Sequence, residues 1–374
     1  MSETVRDADL DAEIERGRTL PAEYYTDTEI HELEKKHIFS RFWQYVGPKD
    51  KLSRPGDFLT YRAGNIPIVV VCDDDGDLRG FVNVCRHRGT EVVPEPSGNR
   101  RSLQCLYHGW TYGLDGRLRA APRANEQADF RTEDYALPNV QVDTWGPFVF
   151  VNPDLDAVPL REQLGELPDV IEASGIDFDT VRYTSRIDYD LASNWKVVVE
   201  NFSECYHCPI AHPGLSDLLD IDAYRVVEYE YFQTHVAPLR QAAKTGEASG
   251  DWDASWDVRK GHVKDGSFNW LWPNFMVVIY PGPSALSTNL IVPVGVDRTL
   301  AVYEFFFSEE VTDEERAEIT GYIDLIQRED IPLCESVQRG MKSGFFDQGT
   351  LMLTRENGIR HFQRLVHKCV TAPA

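Results

Sequence analysis

One fourteen-residue stretch concentrates side chains that bind metals. Residues 200–213 read ENFSECYHCPIAHP and contain two histidines, two cysteines and two glutamates. His207 and His212 are five residues apart, which is about 140° around an ideal helix, so a helix carrying both must be distorted if they share one metal. Two imidazoles and one carboxylate form the facial triad of non-haem Fe(II), which leaves positions open for O₂. The stretch therefore predicts a mononuclear iron site.

Cys205 and Cys208 in the same stretch permit other interpretations. Their CxxC spacing interleaves with His207 and is also found in zinc sites and redox-active pairs. The sequence contains no second CxxC pair. Iron chemistry with O₂ uses nitrogen and oxygen ligands rather than thiolates. We therefore expect both cysteines to be packing residues that do not bind the metal.

A second group of cysteines and histidines occurs earlier in the chain. Cys85 and His87 lie in CRHRG, and Cys105 and His108 lie in CLYHGW. Each glycine-containing loop follows a strand-like run and supplies one thiolate and one imidazole. Zinc accepts such a set, and so does a [2Fe–2S] cluster with cysteines on one iron and histidines on the other. Because zinc fingers usually pair Cys with Cys and His with His, the arrangement favours the cluster.

The cysteine–histidine pairs lie in a region that is typical of a small all-β domain. Between residues 45 and 155, short β-branched and aromatic runs alternate with Gly, Asp and Pro. The segment CDDDGDL between two such runs predicts a hairpin. Residues 26–43 have helical spacing, with Thr26 or Asp27 available as the N-cap. We expect residues 1–44 to form a helical segment that packs on the domain after the β region.

The histidine-rich stretch belongs to a predicted α+β domain at residues 156–374. Three strands are predicted at NFMVVIYPGP, STNLIVPVG and RTLAVYEFFFS. The long helix predicted after them has a capping box made by Thr312 and Glu315. Pro332 should kink this helix or break it in two. The fold class is therefore α+β, with helices flanking a sheet.

Composition excludes several functional classes. The chain has 374 residues, 42% of them hydrophobic, which suits two or three globular domains. Its net charge of −23 argues against nucleic-acid binding, because the chain offers no basic groove for phosphates. No apolar run reaches the roughly 18 residues that span a bilayer, and the acidic N-terminus does not resemble a secretory signal. We expect a cytoplasmic protein, and seven cysteines, an odd number, make a poor disulfide framework.

Both groups of residues resemble the metal-binding motifs of the Rieske oxygenase family. CxHRG and CxxHGW are that family's cluster-binding loops, and every signature position is matched here. The family's catalytic-domain pattern, NWK…EN…(D/E)xYHxxxxH, is matched at Asn194, Trp195, Lys196, Glu200, Asn201, Glu204, Tyr206, His207 and His212. The resemblance covers nearly the whole chain. It implies an N-terminal all-β Rieske [2Fe–2S] domain at residues 45–155 and an α+β catalytic domain with an antiparallel sheet flanked by helices.

The resemblance also implies the ligands of both metal centres. The cluster ligands are Cys85, His87, Cys105 and His108. His207 and His212 bind Fe(II), and a distant aspartate in QREDIPLCESVQRG completes the triad. That aspartate is Asp330, with Glu329 and Glu335 as the next choices and Asp324 as a weaker one.

Glu204 and Asn201 are the expected catalytic residues outside the ligand set. Glu204 lies three residues before His207, where family members carry a carboxylate that connects the two metal centres across a subunit boundary. Most members have aspartate there, whereas glutamate is found in branches that demethylate quaternary amines. The alternative for Glu204 is a surface salt bridge.

The resemblance implies partners as well as cofactors. A head-to-tail homotrimer would bring the cluster of one subunit to the iron of the next. No GxGxxG fingerprint follows a predicted strand, so electrons are expected from NAD(P)H through a separate flavin or iron–sulfur reductase, directly or through a ferredoxin. The other reactants are O₂ and a small-molecule substrate.

The substrate prediction depends on aromatic residues after residue 213. An aromatic cage binds a trimethylammonium group by cation–π contacts, although a single ring more often fills a core. ENFSECYHCPIAHP, WLWPNFMVVIYPG and STNLIVPVGVDRT are most similar to the branch of betaine, carnitine and choline oxygenases. The candidates are Tyr224, Tyr229, Tyr231, Phe232, Trp252, Trp256, Phe268, Trp270, Trp272, Phe275, Tyr280, Tyr303, Phe305, Phe306 and Phe307.

Three functions follow in order of preference. The first is N-demethylation of a quaternary ammonium compound with release of formaldehyde. The second is hydroxylation or O-demethylation of an aromatic substrate. The third is an iron–sulfur electron carrier or iron sensor, which would not require His207, His212 and Asp330.

Overall fold

The computed structural model describes residues 3–240 and 260–372, with side chains from residue 9 onward. Contacts divide the chain into two compact units. The smaller unit is Lys35–Gln163, and the larger unit combines the chain up to Glu34 with the chain from Leu164. The domain boundaries predicted after residues 44 and 155 both fall within the smaller unit.

The described residues form α-helices and β-strands in alternating blocks along the chain. The helices are α1 (Glu3–Glu15), α2 (Glu23–Thr26), α3 (Thr28–Glu34), α4 (Leu160–Leu164), α5 (Leu167–Ala173), α6 (Trp195–Phe202), α7 (Cys208–Ala211), α8 (Pro213–Leu218), α9 (Asp313–Met341) and α10 (Asn357–Val370). The strands are β1 (Gln44–Pro48), β2 (Asp57–Ala63), β3 (Ile66–Cys72), β4 (Leu78–Val82), β5 (Ser97–Asn99), β6 (Leu103–Gln104), β7 (Thr111–Tyr112), β8 (Leu118–Ala120), β9 (Asn139–Trp145), β10 (Phe148–Asn152), β11 (Arg182–Leu191), β12 (Arg225–Glu228), β13 (Phe232–Val236), β14 (Ser267–Leu271), β15 (Phe275–Ile279), β16 (Ala285–Gly295) and β17 (Arg298–Phe307).

The smaller unit is built from two β-sheets. One has seven strands in the order β1-β10-β9-β4-β3-β2-β5, and the other has the three strands β6-β7-β8. β3 and β4 pair antiparallel up to Cys72 and Leu78, which confirms the hairpin predicted at CDDDGDL. Val69 and Val71 pack on one face of the sheet, and Ile68 and Val70 on the other. Burial on both faces explains the unbroken apolar run of β3, since neighbouring side chains point to opposite faces.

The larger unit is organised around a seven-stranded antiparallel sheet. Its order is β11-β17-β16-β15-β14-β13-β12, and every neighbouring pair runs antiparallel. The middle strands are almost entirely buried. This confirms the predicted α+β class with helices accompanying an antiparallel sheet.

The helical predictions succeed at the caps and fail on continuity. Thr312 and Glu315 form the expected capping box, with reciprocal hydrogen bonds of 3.2 and 3.0 Å. Asp27 caps α3 by accepting from the amide of Glu29 at 2.6 Å. The helix predicted over residues 26–43 is too long, because a π-helical turn at Lys35–Phe39 is followed by β1 at Gln44.

Pro332 was expected to kink the long helix or break it in two, and it does not break the helix. α9 runs without interruption from Asp313 to Met341. A proline inside a helix costs about 3 kcal/mol or more, and tertiary contacts offset that cost here. The carbonyl of Cys334 accepts from Ser193 Oγ at 3.2 Å, and Gln338 binds both the amide of Asn194 at 2.8 Å and the carbonyl of Tyr25 at 3.1 Å. These contacts hold the part of α9 that directly follows Pro332.

None of the helices in residues 3–240 and 260–372 combines the length and apolar character that crossing a membrane requires.

A buried ion pair joins α3 to α6. Glu34 and Lys196 are both 0% exposed and bind each other directly. Trp195 Nε1 adds a hydrogen bond of 2.8 Å to the same carboxylate. The neighbouring carboxyl group of Glu200 accepts from Tyr25 at 2.5 Å and from Gln363 at 2.9 Å. Burial raises the pKa of Glu200 to about 7.

Removing one partner of this ion pair should destabilise the larger unit strongly. Glu34→Ala leaves the Lys196 ammonium buried without its counter-ion, which costs about 3–5 kcal/mol. Thermal denaturation followed by tryptophan fluorescence should show a large fall in the midpoint. The double variant Glu34→Leu/Lys196→Met should recover most of that loss, since it removes both charges of the pair together.

The exposed pair of Asp190 and Arg298 provides the control. Their side chains are 55% and 61% exposed, so Asp190→Ala should shift the midpoint little. An equal shift in Glu34→Ala and Asp190→Ala would contradict the importance of the buried pair.

Candidate metal centres and substrate cavity

The two histidines of the opening stretch converge because the helix between them is short. α7 spans only Cys208–Ala211, with His207 before it and His212 after it. His212 has φ −127° and ψ 72°, outside the helical region. The Nε2 atoms of the two imidazoles are 3.2 Å apart. The local departure from ideal helix geometry that the spacing required is therefore present.

Asp330 on α9 brings the third ligand atom. Its Oδ1 lies 3.0 Å from His212 Nε2 and 3.6 Å from His207 Nε2. The three ligand atoms all lie within 4.8 Å of one another. Two imidazole nitrogens and one carboxylate oxygen at this spacing fit one Fe(II) ion with room for further ligands.

The other acids considered for the third position have different partners. Glu329 accepts from His212 Nδ1 at 2.7 Å, and Glu335 accepts from the amide of Ala192 at 3.1 Å. Asp324 accepts from Tyr189 and from Arg328, each at 2.8 Å. Burial lowers the pKa of His212, but the carboxylates of Asp330 and Glu329 outweigh it and the net shift is upward. This excess of negative potential favours a bound cation.

Each of the three ligands has its own outer hydrogen-bond partner. Glu204 binds Nδ1 of His207, and Asn201 Nδ2 donates to Asp330 Oδ1 at 3.0 Å. Glu329 completes the set on His212. Such partners orient ligands and tune their basicity. The role of Glu329 was missed from the sequence, where it was considered only as an alternative ligand.

Cys205 and Cys208 require a correction. They were expected to be packing residues, but the structure joins them in a disulfide with a Cα–Cα distance of 5.0 Å. Both are also buried in an apolar cluster with Leu215 and Leu219. A CxxC pair at the start of a helix brings its two sulfur atoms together, so the spacing is compatible with a redox pair as well as with packing. Backbone conformation, which the spacing does not specify, decides between them.

The two cysteine–histidine loops of the smaller unit have the same backbone geometry. The amide of Gly89 donates to the carbonyl of Cys85, and that of Gly109 to Cys105, both at 3.0 Å. The two glycines have φ values of 77° and 74°, a conformation that favours glycine. The glycine in each motif is thus explained by the turn that it must make.

The two loops bury their cysteine side chains and expose their histidine rings. Cys85 and Cys105 are 3% and 2% exposed and belong to the core of the unit. His87 and His108 are exposed, with ring centroids 4.5 Å apart, and His87 stacks on Trp110 at 5.0 Å. Two buried thiolates and two outer imidazoles are the donor set of a Rieske [2Fe–2S] cluster.

A cavity adjoins the triad, between the large sheet and the helices α6 and α9. Apolar residues from α6, the sheet and α9 form much of its wall: Val198, Phe202, Met276, Val278, Ile291 and Ile326. Four of the aromatic candidates, Tyr224, Phe268, Tyr280 and Tyr303, also line it. Trp252 and Trp256 lie outside the described residues. The other candidates are not among the lining residues, and Trp270, Trp272, Phe275, Phe305, Phe306 and Phe307 are buried core residues.

Several cavity residues were not predicted from the sequence. Ser287 and Asn289 on β16 and Gln327 on α9 line the cavity. Strand alternation would have grouped Ser287 with Asn289, but nothing in the sequence indicates which face of β16 meets the iron site.

The sequence matches two family descriptions that cover both units. Residues 178–372 match the catalytic domain of the ring-hydroxylating alpha subunit, and residues 42–139 match the Rieske [2Fe–2S] domain. The chain belongs to the Rieske non-haem iron oxygenases. It is the catalytic alpha subunit, with a Rieske [2Fe–2S] domain and a mononuclear iron site formed by His207, His212 and Asp330.

Relatives of this oxygenase subunit include enzymes named for quaternary ammonium substrates. The carnitine monooxygenase oxygenase subunit of Acinetobacter pittii is 33% identical over 93% of this chain and 94% of its own length. The chloroplastic choline monooxygenase of Arabidopsis thaliana is 32% identical over 98% of this chain and 86% of its own. A solved quaternary ammonium Rieske monooxygenase, studied for carnitine oxidation and inter-subunit electron transfer, is 31% identical, with a TM-score of 0.83 over 96% of this chain and 97% of its own.

Asp330→Ala should remove the mononuclear iron and leave the cluster. The variant loses the carboxylate oxygen that lies within 4.8 Å of both imidazole ligand atoms. Metal analysis should show iron falling to the cluster content alone, while the visible absorbance of the cluster stays unchanged. Glu335→Ala on the same helix is the matched control and should keep all its iron. If Asp330→Ala kept its full iron content, the third ligand would have to be another acid.

Proposed function

We propose that this oxygenase hydroxylates an N-methyl group of a quaternary ammonium substrate, which then loses formaldehyde to leave a tertiary amine. The observation that carries this proposal is the aromatic wall of the cavity beside the triad. Aromatic faces attract trimethylammonium groups through cation–π contacts. The names of the relatives support the same substrate class.

The cavity wall does not repel a cation, because no lysine or arginine is present among the described residues that line it. Its two acids, Glu204 and Asp330, belong to the iron site. The hydroxyl groups of the aromatic wall are held by the protein. Tyr224 binds His235 Nδ1 at 2.6 Å, Tyr280 binds Ser287 at 2.6 Å, and Tyr303 donates to Gln327. Burial lowers the pKa of His235 to about 3, so its ring is neutral. Because its Nε2 lies 3.3 Å from the acceptor Gln233 Oε1, its Nδ1 accepts from Tyr224.

We assign the cluster to Cys85, Cys105, His87 and His108 because the two loops present one matched donor set. When bound, the two centres supply O₂ activation at iron and its reducing electrons from the cluster. The protein's own residues then have distinct tasks. Glu204 holds the Nδ1 proton of His207, Asn201 orients the carboxylate of Asp330, and the apolar wall keeps water from the reacting methyl group.

Electron delivery is proposed to cross a subunit boundary. His87 and His108 are exposed at the surface of the smaller unit, and the Glu204 side chain is 8% exposed while it binds an iron ligand. A carboxylate accepts from two imidazole N–H groups at once. We therefore propose a head-to-tail homotrimer in the cytoplasm, reduced from NAD(P)H by a separate reductase or through a ferredoxin.

Glu204→Gln tests the connecting role. The amide keeps the shape but loses the charge and one acceptor, so reoxidation of the pre-reduced protein by O₂ with substrate should slow by orders of magnitude. Both metal sites should stay occupied. Stopped-flow absorbance of the cluster measures the rate, and Glu314→Gln, an exposed glutamate on α9, is the control. Reoxidation at the wild-type rate in Glu204→Gln would leave Glu204 as a local partner of His207 only.

A single-turnover assay tests the substrate class without the native reductase. Protein reduced with dithionite is mixed with O₂ and either choline, carnitine or a methoxy-substituted benzoate, and formaldehyde is trapped. Choline or carnitine should release formaldehyde and yield the demethylated amine in mass spectra. Asp330→Ala should release none. Formaldehyde or a hydroxylated ring from the aromatic compound alone would replace this proposal with the aromatic alternative.

A further inference from the structure

Asn289 is a polar residue in the middle of the cavity wall. It lies on β16, opposite Met276 on β15 and Tyr303 on β17. Its side chain is 5% exposed. Its Oδ1 is buried and has no hydrogen-bond partner among the residues that the structure describes.

The other polar groups along this part of the wall are already paired. Ser287, two residues earlier on β16, binds the hydroxyl of Tyr280 at 2.6 Å. Gln327 on α9 accepts from Tyr303, and Asn201 donates to Asp330 at 3.0 Å. Asn289 thus lines the cavity while its amide oxygen lacks a donor among the described residues. A buried acceptor without a donor costs free energy, which a ligand in the cavity can recover.

The neighbouring residue Thr288 shows that a buried acceptor without a partner need not lie beside the cavity. Thr288 is 0% exposed and its Oγ1 also has no partner. Because side chains alternate along a strand, Thr288 points to the opposite face and is not among the residues that line the cavity. Of these two residues, only Asn289 lines the cavity.

We propose that Asn289 is a specificity-determining residue that accepts a hydrogen bond from a hydroxyl group of the substrate. The substrate is then a hydroxylated quaternary ammonium compound rather than one whose chain is purely hydrocarbon. This inference rests on the proposed function, since the aromatic rings beside Asn289 bind the cationic end. Asn289 supplies the directional contact that aromatic rings do not provide.

Choline and ethyltrimethylammonium form the matched pair of probes, since they differ by one hydroxyl group. In an internal competition with pre-reduced protein, the ratio of demethylated products gives the ratio of the two kcat/KM values. Wild type should favour choline by about 10-fold, as expected for one buried hydrogen bond. Asn289→Leu, which has a similar size but no acceptor, should bring the ratio close to one. Calorimetric titration of the oxidised protein under anaerobic conditions should show the same change in the ratio of Kd values.

Thr288→Val is the control, because it removes an unpartnered buried oxygen from the same strand without altering the cavity. It should keep the preference for choline. Asn289→Ala serves as a second variant, and cluster absorbance and iron content verify that each protein is folded. A preference for choline retained in both Asn289 variants, or no preference in wild type, would overturn the assignment. Wild type that neither binds nor demethylates these two compounds or carnitine would instead overturn the proposed function, and the role of Asn289 with it.

Discussion

The geometry of the iron site depends on a buried ion pair some distance from it. Glu34 and Lys196 are completely shielded from solvent, and their ion pair fixes the first turn of α6 against α3. Two residues before Lys196, the amide of Asn194 donates to the side chain of Gln338 on α9. α6 leads to the histidine stretch and α9 carries Asp330, so one junction sets the relative position of both contributors to the triad. A charge pair suits this task because a displaced partner would remain buried and unpaired.

The triad itself is held by outer contacts rather than by ligand spacing alone. Each ligand is oriented by a second polar group: Glu204, Glu329 or Asn201. Two of these three groups are carboxylates, so the site accumulates negative charge before any cation binds. That charge favours the metal, and the same carboxylates fix which imidazole nitrogen faces it. Glu204 is distinguished by its place at the edge of this arrangement, next to exposed Tyr206.

The cavity divides substrate recognition between two kinds of contact. Tyrosine hydroxyl groups are satisfied within the protein, which leaves the aromatic wall uncharged and apolar in character. Such a wall binds a diffuse cation without fixing its orientation. The sheet adds direction through β16, whose alternate residues enter the cavity. The proposed function thus assigns the broad class of substrate to the aromatic wall and the choice within that class to β16.

The sequence by itself determined the residues whose chemistry is local. Cys85 with His87, Cys105 with His108, and His207 with His212 are each separated by a few positions, so spacing and residue type identify both metal centres. The capping box of α9 and the hairpin between β3 and β4 are likewise local, and both were predicted. The alternating texture of the strands also sufficed for the α+β class.

Only the tertiary structure decided features that depend on which distant surfaces meet. Four acids on α9 were plausible third ligands, and the packing of α9 against α6 brings Asp330 to the imidazoles while Glu329 reaches the far side of one ring. The same packing keeps α9 continuous through Pro332. The disulfide of Cys205 and Cys208 depends on backbone conformation, and the exposure of Asn289 to the cavity depends on which face of β16 is covered by helices. A pattern of residue types specifies what a side chain can do, whereas its neighbours in space decide what it does.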